Sequence, residues 1–490
     1  MEERKIGENL GGELKTGATS EKLTNVALKA TYEEIREVYL SDNRPWVVGY
    51  SGGKDSTTAL QLIWYALSKL QAEQRSKPIY VIASDTLVET PVIVNHIDLT
   101  LGRINSASKQ QGLPFVAHKV RPEIADSFWV NMIGRGYPAP NGRFRWCTDR
   151  LKIQPANRFI LERVAEFGEV VLVLGVRRSE SAARAQVMAL HKRRGQRLSR
   201  HSDLTNAWVY TPIEDWDVND VWQYLLSAPS PWGNRNRDLV TMYRNAQAGE
   251  CPLVVDKTTP SCGNSRFGCW VCTVVERDHS MEALIENGEG WMQPLLNLRD
   301  WLASTQDPTR KKNIREVRRR DGHVHMWGEN DDKVIWGPYK MEVRREILRR
   351  LLRTQKLIQE TNPGESFPLI SEPELHEIRR IWRGEEGDWE DSVPSIFKEV
   401  YSTELKWIDD DVGGPTHLDL QVLERVCADL EVPCDLMREL IDTERQYQAL
   451  ARRSGIYDKI DTTLKKDWRK TEDILAAIGI TRVEAAEDAP

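Results

Sequence analysis

Trp46-Val47-Val48-Gly49-Tyr50-Ser51-Gly52-Gly53-Lys54-Asp55-Ser56-Thr57 decides the reading of this chain. Its apolar residues run on without alternation, the pattern of a strand covered on both faces. Two glycines follow, and apolar residues then recur at helical spacing over 57–70. A strand-to-helix turn free of Cβ atoms lets backbone N–H groups close on a phosphate. The start of the helix adds unpaired donors and partial positive charge. Lys54 supplies a full charge, and Ser51, Ser56 and Thr57 supply hydroxyls. Ser51, Gly52, Gly53, Lys54, Asp55, Ser56 and Thr57 are therefore expected to hold a nucleotide, with Ser51, Lys54 and Asp55 acting in catalysis. The four-residue spacer of a Walker loop is missing. The alternative is a plain glycine turn capped by Asp55 and Ser56.

Outward from this turn, apolar runs at 79–83, 115–120 and 170–174 predict further buried strands, hence a parallel α/β sheet. The second strand leads into Ser84-Asp85-Thr86-Leu87-Val88-Glu89-Thr90-Pro91. Carboxylates at the carboxyl end of a parallel strand sit where such sheets place ligands, so Asp85 and Glu89 are expected to hold Mg²⁺ or the nucleotide. A helix cap and a solvated first-turn acid are the alternative. Past the fourth strand come Gly175, Arg177 and Arg184. Two arginines at a helix start can clamp phosphates, or they form a solvated basic face.

These segments, together with Arg145-Trp146-Cys147-Thr148, Leu151-Lys152, 212–216 and 220–222, resemble the sulfonucleotide (PAPS) reductase branch of the PP-loop ATP pyrophosphatases. The resemblance covers about residues 40–230. It implies a Rossmann-like, adenine nucleotide alpha hydrolase-like sheet that binds ATP, and sulfur chemistry. The reductases carry a Cys-Gly-x-His near the C-terminus, whereas the last cysteine here, Cys434, stands in Val432-Pro433-Cys434-Asp435.

Seven cysteines, an odd and sparse number, argue against a disulfide framework. Cys262, Cys269 and Cys272 fall within eleven residues. Structural zinc uses two close pairs, while a [4Fe-4S] cluster tolerates three clustered thiols and a distant fourth. A [4Fe-4S] cluster on Cys147, Cys262, Cys269 and Cys272 is the expectation, with zinc or inert core thiols as alternatives. Cys251 remains, as a catalytic persulfide carrier or as a buried cysteine. Cys427 lies among helix-spaced leucines and reads as core.

The 490 residues predict several domains: an arm over 1–30, a nucleotide domain over 31–245, the cysteine segment 246–280 and a mostly helical region without a convincing buried strand over 281–490. No apolar run reaches the ~20 residues a bilayer span needs, and the N-terminus is no secretory signal. A cytoplasmic protein without membrane contact is expected. Net charge is −6, yet basic residues crowd 177–200 and 310–320. Arg345, Arg349, Arg353 and Lys356 form a helical stripe. Such surfaces suit DNA or RNA; a solvated face or a dock for an acidic protein is the alternative.

Arg44 to Thr57, Asp85 to Pro91, Cys262 to Thr273 and Gly337 to Leu348 together resemble, more narrowly, the DndC family of DNA phosphorothioation. The resemblance implies an ATP-dependent iron–sulfur enzyme that replaces a non-bridging backbone oxygen of DNA with sulfur. It also implies a cysteine desulfurase as donor, and other phosphorothioation proteins, including a DNA-handling ATPase, as partners. A tRNA thiolation enzyme, a sulfonucleotide reductase relative and a cluster-bearing scaffold are the rival readings.

Overall fold

A computed structural model of the chain describes residues 24–180, 186, 197–240, 268–328, 333–362, 367–407, 415–448 and 453–478. Helix α1 (Asn25–Leu40) precedes β1 (Trp46–Gly49), α2 (Lys54–Ser68), β2 (Ile79–Ser84), α3 (Pro91–Gln110) and β3 (Phe115–Val120). A single turn α4 (Trp146–Thr148) and α5 (Gln154–Phe167) lead to β4 (Val170–Val173), β5 (Ser199–Arg200), β6 (Ala207–Tyr210) and α6 (Val218–Ser227). The strands form one sheet in the order β3-β2-β1-β4-β6-β5. All pairings are parallel except that of the edge strand β5.

Each of the four expected strands is present to within a residue. In β1, β2 and β4 the unbroken apolar character has a direct cause, whereas the edge strand β3 carries His118 and Lys119 and is partly exposed. Val48, Val81 and Val173 enter one core with α1, α2 and α3, while Val47, Ile82 and Leu172 enter another with Ala156 and Ile160 of α5. Alternate residues thus face opposite layers, and both are apolar. β5 and β6 were not expected; two and four residues are too short for a periodic signal. The arm expected over 1–30 is helical in its last six residues, because the Thr24 hydroxyl accepts the Ala27 N–H at 3.1 Å and starts α1 at Asn25.

The second half continues through α7 (His279–Glu286), α8 (Gln293–Ser304), α9 (Lys311–Ile314), α10 (Met341–Thr361), α11 (Glu372–Glu385) and α12 (Ser392–Tyr401). Helices α13 (His417–Asp429), α14 (Cys434–Gln448), α15 (Ile456–Leu464) and α16 (Thr471–Ala477) follow. The region is mostly helical, as expected; a short antiparallel pair, β7 (His325–Trp327) with β8 (Lys333–Ile335), is largely half-buried or exposed. Leu295, Leu302, Ile347, Leu351, Ile378 and Trp382 centre a core that also takes in Val88, Phe128, Trp129, Trp146 and Trp270. The helical half is thereby packed on the loops at the carboxyl edge of the sheet. Among the described residues no helix is long and apolar enough to cross a membrane.

Candidate active site at the carboxyl edge of the sheet

β1 leads to β2 on one side, and the chain returns to β4 on the other. The crevice at this switch point is where open α/β sheets bind ligands. The turn 51–53 leaves β1 there, and 174–180 leaves β4 beside it.

The turn is shaped by its own hydroxyls. Ser51 Oγ and Ser56 Oγ lie 3.0 Å apart, the Gly53 N–H donates to Ser51 Oγ at 3.3 Å, and Ser56 Oγ donates to the Gly53 carbonyl at 3.1 Å. Gly52 takes φ +73°, a conformation that favours glycine. Gly53 caps α2 and brings no side chain of its own onto the first turn. Ser56 and Thr57 are buried, whereas Ser51, Gly53, Lys54 and Asp55 reach the surface in part. Of the expected hydroxyls, the two later ones therefore face the fold.

Asp55 lies between two cations. Its Oδ2 accepts from Lys54 Nζ at 2.8 Å and its Oδ1 from Arg177 Nε at 2.6 Å. Arg177, itself buried, also donates to Ser179 Oγ at 2.9 Å. Asp55 thus positions the two positive groups expected to meet phosphate. Gly175 passes against the first turn of α2, and a Cβ there would stand 2.5 Å from the Asp55 carbonyl oxygen. That cradle fits a nucleotide phosphate chain: an open helix N-terminus, two oriented cations and backbone where side chains would intrude. Arg184 lies outside the described residues.

Asp85 ends β2 buried and paired. Arg121 Nε donates to it at 2.9 Å, Lys119 Nζ stands 3.5 Å away, and the Leu87 N–H closes a turn onto its Oδ1 at 3.0 Å. Leu87 adopts φ +65°, so this carboxylate holds a backbone conformation that leucine rarely takes. Sequence reasoning missed Lys119 and Arg121. Their signal was available: both flank the carboxyl end of a buried strand.

The cysteine turn docks directly on the loop after β2. The Trp270 N–H donates to the Val88 carbonyl at 3.0 Å, and the Thr90 N–H to the Gly268 carbonyl at 3.3 Å. Cys269 Sγ lies 3.3 Å from the Thr86 hydroxyl. Burial pushes the Cys269 thiol up, Lys152 opposes this, and Glu89 adds to it. Burial likewise raises Glu89 to about 7, against the pull of Lys152 and with the push of Asp85. Glu89 thus belongs to the thiol environment as much as to the nucleotide site. Buried Arg299 of α8 fastens the turn from behind: its Nε donates to the Cys272 carbonyl at 2.9 Å and its Nη1 to the Glu276 carbonyl at 2.8 Å, and its Nη2 reaches the Val275 carbonyl. No local pattern announces Arg299.

Cys147, on α4, packs against the same core as Cys269. Cys251 and Cys262 lie outside the described residues. Among the described residues no group of three or more His, Cys, Asp or Glu side chains is placed to hold a metal ion. Cys427 is buried as expected.

The cationic stripe expected to meet a polyanion is spent within the chain. Arg345 pairs with Asp388 at 2.8 Å and Glu390 at 2.9 Å; Arg349 and Arg353 share Glu399 at 3.0 and 2.8 Å; Lys356 Nζ donates to the Val400 carbonyl at 2.9 Å. In 310–320, Arg315 is buried on the Trp336 and Gly337 carbonyls, and Arg318 on those of Asp467 and Arg469. The stripe opposes the core of α10, but α12 and the loop before it cover it with acids. Trp270 and Trp336 are buried, and Trp327 of β7 is half-buried.

Residues 45–274 match the family of the phosphoadenosine phosphosulfate reductase domain. The chain carries a PAPS reductase-like domain. Residues 418–465 match a family described as a small protein found in certain Dnd DNA modification systems. An uncharacterized protein of Methanocaldococcus jannaschii is 26% identical over 249 residues, 51% of this chain. The match spans 39% of that relative's own length. Among solved structures, Candida glabrata FMN adenylyltransferase in complex with FAD and inorganic pyrophosphate is similar over 44% of this chain and 61% of that one, at 12% identity and TM-score 0.26. U34-tRNA thiolase NcsA from Methanococcus maripaludis with its [4Fe-4S] cluster is similar over 44% and 72%, at 13% and 0.27. The reductase-like domain contains the turn after β1, the 85–90 loop and the cysteine turn; the Dnd-type segment covers all but the first residue of α13, and all of α14 and α15.

Proposed function

We propose that this protein is an ATP-dependent sulfurtransferase of DNA phosphorothioate modification. A non-bridging oxygen of a DNA phosphodiester attacks the α-phosphorus of ATP, pyrophosphate leaves, and the DNA phosphate is joined to AMP. The outer sulfur of a cysteine persulfide then bonds to the DNA phosphorus as the P–O bond to AMP breaks, and a thiol reductant cleaves the S–S bond, becoming a disulfide and leaving the sulfur on phosphorus. Oxide is a poor leaving group and AMP a good one, so ATP supplies the driving force.

Lys54, Arg177 and the N–H groups at the start of α2 hold the phosphates, with Asp55 fixing both cations. A Mg²⁺ carried in by the triphosphate would offset its charge, since Asp85 is already paired with Arg121 and Lys119. A [4Fe-4S] cluster on Cys147, Cys262, Cys269 and Cys272 equips the site for sulfur handling. Cys251 carries sulfur received from a cysteine desulfurase, and the Dnd-type segment joins the chain to other phosphorothioation proteins, including a DNA-handling ATPase.

One observation carries this reading: the cysteine turn is hydrogen-bonded to the 86–90 loop, on the same sheet edge as the phosphate turn. The Dnd-type match at 418–465 favours DNA as the acceptor. The isolated chain, given ATP, DNA and a persulfide donor, is expected to release AMP and pyrophosphate, and Lys54→Ala to abolish both. Undiminished release from Lys54→Ala, or release that follows tRNA and ignores DNA, sinks the proposal.

A further inference from the structure

Between the reductase-like sheet and Cys147, residues 138–146 form a turn held rigidly at both ends. The Ala139 N–H donates to Tyr339 Oη at 3.0 Å. The Pro140 carbonyl accepts from Thr273 Oγ1 at 2.7 Å and from Gln306 Nε2 at 2.8 Å. Trp146 Nε1 donates to the Pro138 carbonyl at 2.9 Å, and its ring stacks on Phe128 at 5.3 Å. At the tip, Asn141 Oδ1 accepts the N–H groups of Arg143 and Phe144 at 2.9 and 2.8 Å, and the Asn141 N–H donates to the Phe144 carbonyl at 3.2 Å. The turn is set by these bonds, and what it sets out is an aromatic ring: Phe144 is 41% exposed.

A single exposed apolar side chain is ordinary on a protein surface. Phe167, 40% exposed, is such a case: it ends α5 at the amino edge of the sheet, between Glu166 and Glu169. Phe144 differs in three respects. Arg143 before it is exposed, while Arg145 after it is half-buried with its Nε on the Gly142 carbonyl at 3.1 Å. Its turn is tied to Thr273, the residue after Cys272. Cys147 lies three residues further on, at the carboxyl edge. An exposed ring on a fixed turn, next to an exposed guanidinium group, is chemically matched to a nucleobase with a neighbouring phosphate.

We propose that Phe144 stacks on an unpaired base of the DNA, with Arg143 beside an adjoining phosphate, so that the strand is held open at the edge where its backbone is modified. This rests on DNA being the acceptor. It also moves the polyanion contact away from the α10 stripe, which acids already cover.

The test titrates the full chain into single-stranded DNA containing 2-aminopurine and into the matched duplex. The wild type is expected to bind the single strand and quench the fluorophore. Phe144→Ala is expected to lose about tenfold or more in single-strand affinity together with the quench, and Phe144→Trp to retain both. Arg143→Gln is expected to lower the salt slope of binding by about one. Wild-type binding and quench in Phe144→Ala overturn the stacking role alone. A wild type that binds neither DNA overturns the DNA reading as well.

Discussion

Gly175 and Asp55, 120 residues apart, meet so closely that a Cβ on the glycine would stand 2.5 Å from the Asp55 carbonyl oxygen and 2.8 Å from the Ser56 nitrogen. Both neighbours are backbone at the start of α2, and neither can rotate away. Gly175→Ala is therefore expected to push the phosphate turn off β4. The cost is about 1–3 kcal/mol of stability, with a loss of pyrophosphate release well beyond what the stability change accounts for. Thermal unfolding together with pyrophosphate assay checks this; a variant as stable and active as the wild type refutes it.

Arg299 ties three carbonyls of the cysteine segment to α8. Arg299→Met removes these charge-assisted bonds while keeping much of the side-chain volume. It is expected to destabilise by about 2–4 kcal/mol and to lower the iron and sulfide retained after anaerobic purification. Arg299→Lys, which keeps the charge but not the fork, is expected to fall between. Full iron content in Arg299→Met removes Arg299 from the support of the thiols.

Glu89 gives a pH dependence whose sign is fixed by burial. Its pKa rises from about 4.5 to about 7, so folding favours its protonated form. The stability linked to this proton is complete below pH 4.5 and drains away as pH climbs to 7. In metal-free protein, Glu89→Gln is expected to raise the thermal midpoint by a few degrees at pH 8 and scarcely at pH 5. Melting curves across that range that stay parallel for the two proteins contradict this.

The phosphate turn and the strands β1, β2 and β4 were legible because their causes are local. An apolar run buried on both faces needs no partner to be recognised, and Gly52 and Gly53 announce backbone geometry by themselves. The pairing of Cys269 and Cys272 was legible for the same reason, since two residues of spacing bring both thiols to one turn. The arginine stripe of α10 shows the limit of such reasoning. Its spacing is real, but Glu399 and Asp388, which neutralise it, are some fifty residues away.

What the amino-acid order alone determined is the chemistry available: a glycine-rich turn with Lys54, and a row of thiols. What only the tertiary structure decided is which groups stand together: Asp55 with Arg177, Cys269 with Thr86, Arg299 behind Cys272, and Phe144 set out beside Cys147. These neighbours are chosen by the packing of two apolar layers on the sheet and of the helical core on its carboxyl edge. Burial of area is blind to sequence separation, so it leaves no short-range mark that names the partner.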